Sequence, residues 1–550
     1  MLPREASDLK AERISLVTRY DKPKIAVVSG PNATILNSPA LVTSNKGRLP
    51  GERMLPGRYD HLVPQNLYEP VVVRIRKYTA HPLERDSGSV YVDDGTDYHE
   101  VELLPEDGPY LLPYMARRSD GSGEGVPFED EDLLDPSIEY GQRQFFYPDA
   151  SRVFDEINRT IGGRDENGRG NLLDGKADFD FLRILPSGGF SQDGEIRGSD
   201  YFPYKPFPLT SRRPRRSDLA TVVNGLHAAL DREEYAGILW LECSSTIEET
   251  LYWLNLLLDT QLPVAGCASQ RPHGQLSNDG DRNIVDAVDY LLSGRAADMG
   301  VVGIQDEQIF AAREFKKADD RPGGYKASGG HGGILGTIGP PVTLWYKPTY
   351  RHTSTSQMRL TNLPEYVHFQ DFADSIDSVK VRIKRSNGSL LPEAIPRVTL
   401  VKSGAYMDEG DAADPATEVD MMARISQALN ERASPRDDLP RLHGMVIEGD
   451  APYGIVSGNQ AAAMRLAVFS GIPVVRVARS DPGGRVPLLP IGPSILGSNL
   501  DANKARLLLT AAMLKLGGLP RARDPRNPTE FERESLGAKL EEYQKIFEAH

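Results

Sequence analysis

The chemistry of this 550-residue chain concentrates where an apolar run gives way to small polar side chains. Ala236-Gly237-Ile238-Leu239-Trp240-Leu241 is short and unbroken, the pattern of a parallel strand covered on both faces. Just beyond it lie Cys243-Ser244-Ser245-Thr246. Glu248-Glu249-Thr250 then opens a helix with acids in its first turn and apolar residues at Leu251, Leu254, Leu257 and Leu258. Hydroxyls are thereby set at the carboxyl end of a buried strand, beside the positive end of a helix. In open parallel sheets that is where ligands bind.

The elements that must position these hydroxyls repeat the pattern. Leu262-Pro263-Val264-Ala265-Gly266-Cys267 reads as a second buried strand, and Ser277-Asn278-Asp279-Gly280 leads into a second helix that begins near Asn283. Met299-Gly300-Val301-Val302-Gly303-Ile304 is a further strand. Near the start of the chain, Lys24-Ile25-Ala26-Val27-Val28 reads as a strand that runs into Ser29-Gly30-Pro31-Asn32-Ala33-Thr34.

Ser244-Ser245-Thr246-Ile247-Glu248-Glu249-Thr250, followed by Pro263-Val264-Ala265-Gly266-Cys267 and by Asn278-Asp279-Gly280 with Asn283 behind it, resembles the second signature of the bacterial-type L-asparaginase/glutaminase family. The segment ending in Thr34-Ile35 resembles the first. Arg313 with Lys317, the glycine-bounded turn over 328–338, Tyr350-Arg351-His352-Thr353, Gly484-Arg485-Val486 and Asn503-Lys504-Ala505-Arg506 follow in the family's order. The resemblance covers residues 24–44 and most of 209–516.

It implies an asparaginase-type α/β fold built on a three-layer parallel sheet, with a large amino-terminal and a smaller carboxy-terminal domain. It also implies hydrolysis of a carboxamide by a threonine or serine nucleophile through an acyl-enzyme. Thr34 takes the nucleophile's place, and Ser244, which occupies the other family threonine, has second claim. Lys317 matches the family's lysine, and Ser211 its substrate-contacting serine. Backbone N–H groups after Thr34 and near Cys267-Ala268 are placed to stabilise an oxyanion. A lysine serves here only when partly desolvated, because burial lowers its proton affinity. His331 is a candidate base on general grounds, but the family uses no histidine there, so a structural loop role is expected. No metal or cofactor is expected, and the resemblance implies a site completed by a neighbouring subunit of a homodimer or homotetramer.

Departures from the family carry the expectation about substrate. Where the family has Gly-Thr-Asp-Thr, this chain has Cys243-Ser244-Ser245-Thr246, so neutral Ser245 replaces the aspartate that holds a substrate α-ammonium group. Ser245 is left to polarise Ser244 or to contact substrate. The first loop is two residues longer, and residues 37–51 lack the family's lid tyrosine, Tyr59 and Tyr68 being the nearest substitutes. A buried ammonium without a carboxylate costs several kcal/mol. The expected substrate is therefore a small amide, lactam or ureide without a free α-amino group, rather than free asparagine. The alternative is a non-catalytic small-molecule-binding or scaffold protein on the same fold. A nucleotide-dependent enzyme is disfavoured, because no phosphate-cradling glycine motif follows a strand.

Composition bounds the partners. A net charge of −14 argues against nucleic acid, and the cluster Arg212-Arg213-Pro214-Arg215-Arg216 reads as a solvated loop. Two cysteines, Cys243 and Cys267, exclude a disulfide framework and a multi-cysteine metal site. No apolar run approaches the roughly 20 residues of a membrane helix, and the start lacks a signal-peptide core, so no membrane partner and a cytoplasmic location are expected. The length suggests two or three domains. These are an asparaginase-like domain over 1–365 with a β-rich insertion at 51–208, a smaller α/β domain over 366–520, and a helical extension over 521–550. Strands at 71–76, 89–92 and 98–103 give the insertion its character, and the extension reads as one exposed helix over 530–547.

Overall fold

The computed structural model describes residues 22–30, 42–43, 62–65, 70–75, 99–107, 110–113, 145–147, 173, 175–183, 214–231, 234–271, 277–376, 378–404, 406, 413–433, 440–479 and 492–550. Thr34 and Ser211 lie outside them, as do Tyr59, Tyr68 and the strand expected at 89–92.

An eight-stranded sheet organises the amino-terminal part, in the order Thr343–Leu344, Ile334–Thr337, Gln308–Ala311, Val301–Gln305, Val264–Cys267, Gly237–Leu241, Lys24–Ser29 and Asp178–Arg183. The five strands from Val301–Gln305 to Asp178–Arg183 are parallel. Alternation along each strand feeds two apolar layers. Ala26, Val28, Ile238, Trp240 and Val264 pack with the helices Asp218–Leu230 and Ile247–Leu257. Ile25, Val27, Leu239, Leu241, Ala265 and Cys267 pack with the helix Gly280–Leu292. The three-layer architecture follows from strands that are apolar on both faces.

The sheet departs from the all-parallel expectation at one edge. Val301–Gln305 pairs antiparallel with Gln308–Ala311, which pairs antiparallel with Ile334–Thr337, and the hairpin Ile334–Thr337 with Thr343–Leu344 completes the edge. The first of these reversals uses Asp306 and Glu307 at φ 49° and 60°. Two consecutive left-handed residues are what a tight hairpin needs, although Asp-Glu lacks the glycine that usually announces one.

Within the span 51–208, the described residues include short paired strands. Val71–Ile75 pairs antiparallel with His99–Leu103 and parallel with Phe145–Tyr147, and Leu62–Gln65 pairs with Tyr110–Pro113. Asp178–Arg183, inside the 51–208 span assigned to the insertion, instead belongs to the main sheet beside Lys24–Ser29. Its alternation explains this, since Phe179 packs on one apolar layer and Leu182 on the other.

A second, four-stranded parallel sheet contains Arg397–Lys402, His443–Gly449, Val474–Ala478 and Ile495–Leu496. Its helix Ala502–Leu516 packs on Ile247–Leu257, and one continuous apolar cluster spans both sheets. The terminal helix is Glu530–Ala549, capped by Thr529 and Glu532 in reciprocal hydrogen bonds. It is not the exposed helix expected from its charge. Leu536, Tyr543, Ile546 and Phe547 form a buried stripe on one face, at helical spacing diluted by surface charges.

Candidate active site

The site is built where the parallel strands end. Beyond Gly237–Leu241, Glu242 is 1% exposed and fixes the turn that follows. Trp240 Nε1 donates to its Oε2 (2.7 Å) and Thr250 Oγ1 to its Oε1 (2.8 Å), tying strand end to helix start. Gly30 lies flat against the same indole, where a Cβ would come within 2.6 Å of the Trp240 ring. Burial pushes the Glu242 carboxyl up to about 7, against the opposing effect of its hydrogen bonds. A carboxyl with raised affinity stabilises the fold when protonated. That contribution is present below its ordinary value of 4.5 and is lost as pH rises through about 7. Glu242→Gln should therefore remove a pH dependence of stability on the order of 3 kcal/mol between about pH 5 and pH 8, read by denaturant unfolding. Parallel pH curves for the two proteins would contradict it.

Ser244 is half-buried in the turn, whereas Ser245 is exposed, its Oγ 3.4 Å from Cys243 Sγ. Opposite the turn stands a hairpin of Phe315–Lys317 with Tyr325–Ala327, in which Lys317 is directly across from Tyr325. The Lys317 backbone N–H donates to Glu248 Oε2 in the first turn of Ile247–Leu257. Tyr325 OH donates to the Ser244 carbonyl at 3.0 Å, and Lys317 Nζ lies 4.5 Å from the centre of the Tyr325 ring. Ser244 and Lys317 are thus brought to opposite parts of one tyrosine. Burial lowers the Lys317 pKa, Arg271 adds to the lowering, and Asp279, Asp319 and Asp320 oppose it. The partial desolvation such a lysine requires is met.

A third wall comes from the end of Val264–Cys267. Asn283 Nδ2 and Gln305 Nε2 both donate to the Ala268 carbonyl, at 2.9 and 3.0 Å, and Asn283 also donates to Gln305 Oε1 at 2.7 Å. This buried amide pair fixes the peptide after the strand. The N–H groups of Gln270 and Arg271 each donate to Asp279 Oδ1 at 2.9 Å, and the Gln270 side chain turns back so that its Oε1 accepts from Lys317 Nζ. Cys267 is buried and its thiol is pushed far up by desolvation, so its side chain is a packing group. Alkylation of the native protein with iodoacetamide should label half-buried Cys243 and spare Cys267 until unfolding. Labelling of Cys267 in the native state, mapped by peptide mass spectrometry, would contradict this.

The second sheet's helix secures the hairpin. Lys504 Nζ, on a residue 1% exposed, donates to the carbonyls of Ala312 (2.9 Å), Arg313 (2.8 Å) and Phe315 (2.6 Å). Arg506, from the same helix, pairs with Glu249 in the first turn of Ile247–Leu257. Arg313 itself is buried, with Nε on the His550 carbonyl at 2.7 Å and its guanidinium 3.5 Å from the Tyr350 ring centre. These contacts make it an anchor for the end of the chain. His331 is exposed in the short 3-10 turn His331–Gly333.

Of the residues singled out from sequence, Ser244 and Ser245 follow Gly237–Leu241, Cys267 and Ala268 lie at the end of the neighbouring strand Val264–Cys267, and Lys317 is linked to Ser244 through Tyr325. Thr34 and Ser211 fall outside the described residues. Gln270, Tyr325, Glu248 and Asp279 were missed. The Lys317–Tyr325 pairing had a signal, because Arg321-Pro322-Gly323-Gly324 is turn chemistry between two short strands. Among the described residues no group of three or more His, Cys, Asp or Glu is arranged to hold a metal, and no helix is long and apolar enough to cross a membrane.

A family model for asparaginase, N-terminal, matches residues 191–323, the stretch that contains Ser244, Gln270 and Lys317. A glutaminase-asparaginase from Acinetobacter glutaminasificans is 30% identical over 146 residues, covering 26% of this chain and 43% of that protein. L-asparaginase 2 from Bacillus subtilis (strain 168) is 30% identical over 148 residues, covering 27% of this chain and 38% of its own. The chain thus spans less than half the length of either relative. Among solved structures, the probable cytoplasmic L-asparaginase from Campylobacter jejuni aligns over 72% of this chain and 94% of its own, at a TM-score of 0.46 and 18% identity.

Proposed function

We propose that the chain, which resembles the asparaginase family, is an amidohydrolase that cleaves a non-peptide C–N bond of a small carboxamide through an acyl-enzyme. Thr34 is the first candidate for the nucleophile and Ser244 the second. The alcohol oxygen attacks the carbonyl carbon while its proton passes to the uncharged Lys317 amine. The C–N bond then breaks, the leaving nitrogen takes that proton, and water hydrolyses the resulting ester by the reverse transfers. The observation that supports this reading is the half-buried amine of Lys317, its proton affinity lowered by burial, held on the same tyrosine that touches Ser244.

The substrate lacks a free α-ammonium group. Ser245 is neutral and exposed where a carboxylate would receive that charge. Of the nearby acids, Asp279 accepts from the N–H groups of Gln270 and Arg271, and Asp319 pairs with the Arg321 guanidinium at 2.6 Å. Amides, lactams and ureides without an amino group satisfy this. The same reading has the site completed by a second copy in a homodimer or homotetramer, acting in the cytoplasm.

A product screen across those three classes, with free asparagine and glutamine included, tests the proposal. Turnover of a neutral member, lost in Ser244→Ala and Lys317→Met, is the expected result. Asparagine hydrolysed as efficiently as the best neutral compound would overturn the substrate assignment, and no turnover of any amide would favour a binding protein.

A further inference from the structure

Resting on the reading of Lys317 as proton acceptor, we infer that Gln270 is its positioning residue, an uncharged amide that holds the amine in place whether or not the amine carries a proton. The backbone at Lys317 is fixed by other means. Its strand is paired with Tyr325–Ala327, its N–H is on Glu248, and the preceding carbonyls are on Lys504. The end of the side chain has two neighbours of a different kind, the face of Tyr325 and Gln270 Oε1.

Gln270 is itself held rigidly. Its N–H donates to both oxygens of Asp279, at 2.9 and 3.2 Å, and its carbonyl accepts from Arg271 Nη1 at 3.2 Å. Two residues earlier, the Ala268 carbonyl is clamped by Asn283 and Gln305. A side chain on so fixed a backbone can define where an amine sits.

The charges around Lys317 make neutrality of this partner consequential. Asp279, Asp319 and Asp320 favour the ammonium form, while Arg271 and burial disfavour it. Glu248 is occupied with the backbone N–H, and neighbouring Lys316 faces Asp501 at 3.8 Å. An amide oxygen accepts an N–H from either –NH3+ or –NH2, and its preference for the charged donor is far weaker than a carboxylate's. A carboxylate in the same place would add a direct ion pair and hold the proton on the amine. Gln270 thus orients the lysine without charging it, while Asp279 acts one step away by fixing the glutamine backbone.

The test is trace acetylation of the full-length protein with acetic anhydride across pH, the extent at Lys317 read by peptide mass spectrometry, in wild type, Gln270→Glu and Gln270→Leu. Gln270→Glu is expected to move the labelling midpoint of Lys317 up by about one pH unit or more, so that its reactivity near neutrality falls roughly tenfold. Gln270→Leu should leave the midpoint at or below that of wild type while lowering kcat at least tenfold, with KM little changed. An unmoved midpoint in Gln270→Glu, or full kcat in Gln270→Leu, overturns the inference. Activity of Lys317→Met reports separately on the catalytic reading, because labelling of Lys317 needs no turnover.

Discussion

Lys317→Met should lower kcat by roughly 10²- to 10⁴-fold, the usual range for loss of a positioned base, while leaving thermal stability nearly unchanged. Methionine keeps the length and apolar character of the stem and removes the amine, which lies 4.5 Å from the centre of the Tyr325 ring. The fold does not depend on that amine, since the strand carrying it is fixed through its backbone to Glu248 and to Tyr325–Ala327. Steady-state kinetics on the substrate found by screening, beside a melting curve, separates these outcomes. Near-normal kcat would remove Lys317 from the chemistry.

Lys504→Met has the largest expected effect on stability. The ammonium of Lys504 is buried and satisfies three carbonyls of the segment 312–315, immediately before Lys317. Each buried acceptor left without a donor costs about 1–3 kcal/mol, so a loss of about 3 kcal/mol or more is expected in urea unfolding. Methionine fills similar volume, so little of that loss comes from a cavity. The hairpin should also shift, because the helix Ala502–Leu516 no longer pins it, and kcat should fall together with stability. A loss under about 1 kcal/mol would mean that those carbonyls find other donors.

The sheet was legible wherever a strand is apolar on both faces. The strands Gly237–Leu241, Val264–Cys267 and Val301–Gln305 and the helices after the first two fall close to where the unbroken apolar runs and the polar helix starts placed them. The antiparallel edge was not, because its reversal at Asp306-Glu307 is enforced by pairing rather than by a glycine. The half-buried terminal helix was hidden for a different reason. Its apolar stripe, Leu536, Tyr543, Ile546 and Phe547, is sparse, and only contact with Ala502–Leu516 and Ile495–Leu496 gives it a partner.

Within the site, Ser244 and Lys317 were readable as types at the ends of strands. The residues that define their environment were not. Gln270 reaches Lys317 from a point 47 residues away in sequence, and Tyr325 reaches Ser244 from 81 residues away, so neither contact leaves a local pattern. Nothing local marks Glu242, a single acid after an apolar strand. It became informative only once its burial between Trp240 and Thr250 was seen.

Acid quenching of the enzyme during turnover of its best neutral amide, followed by peptide mass spectrometry, examines the acyl-enzyme itself. The account predicts the acyl mass on the peptide containing Thr34 or on the one containing Ser244, and its accumulation or disappearance in Lys317→Met according to which step the amine limits. Turnover with both peptides unmodified under conditions that hold the ester stable would contradict it.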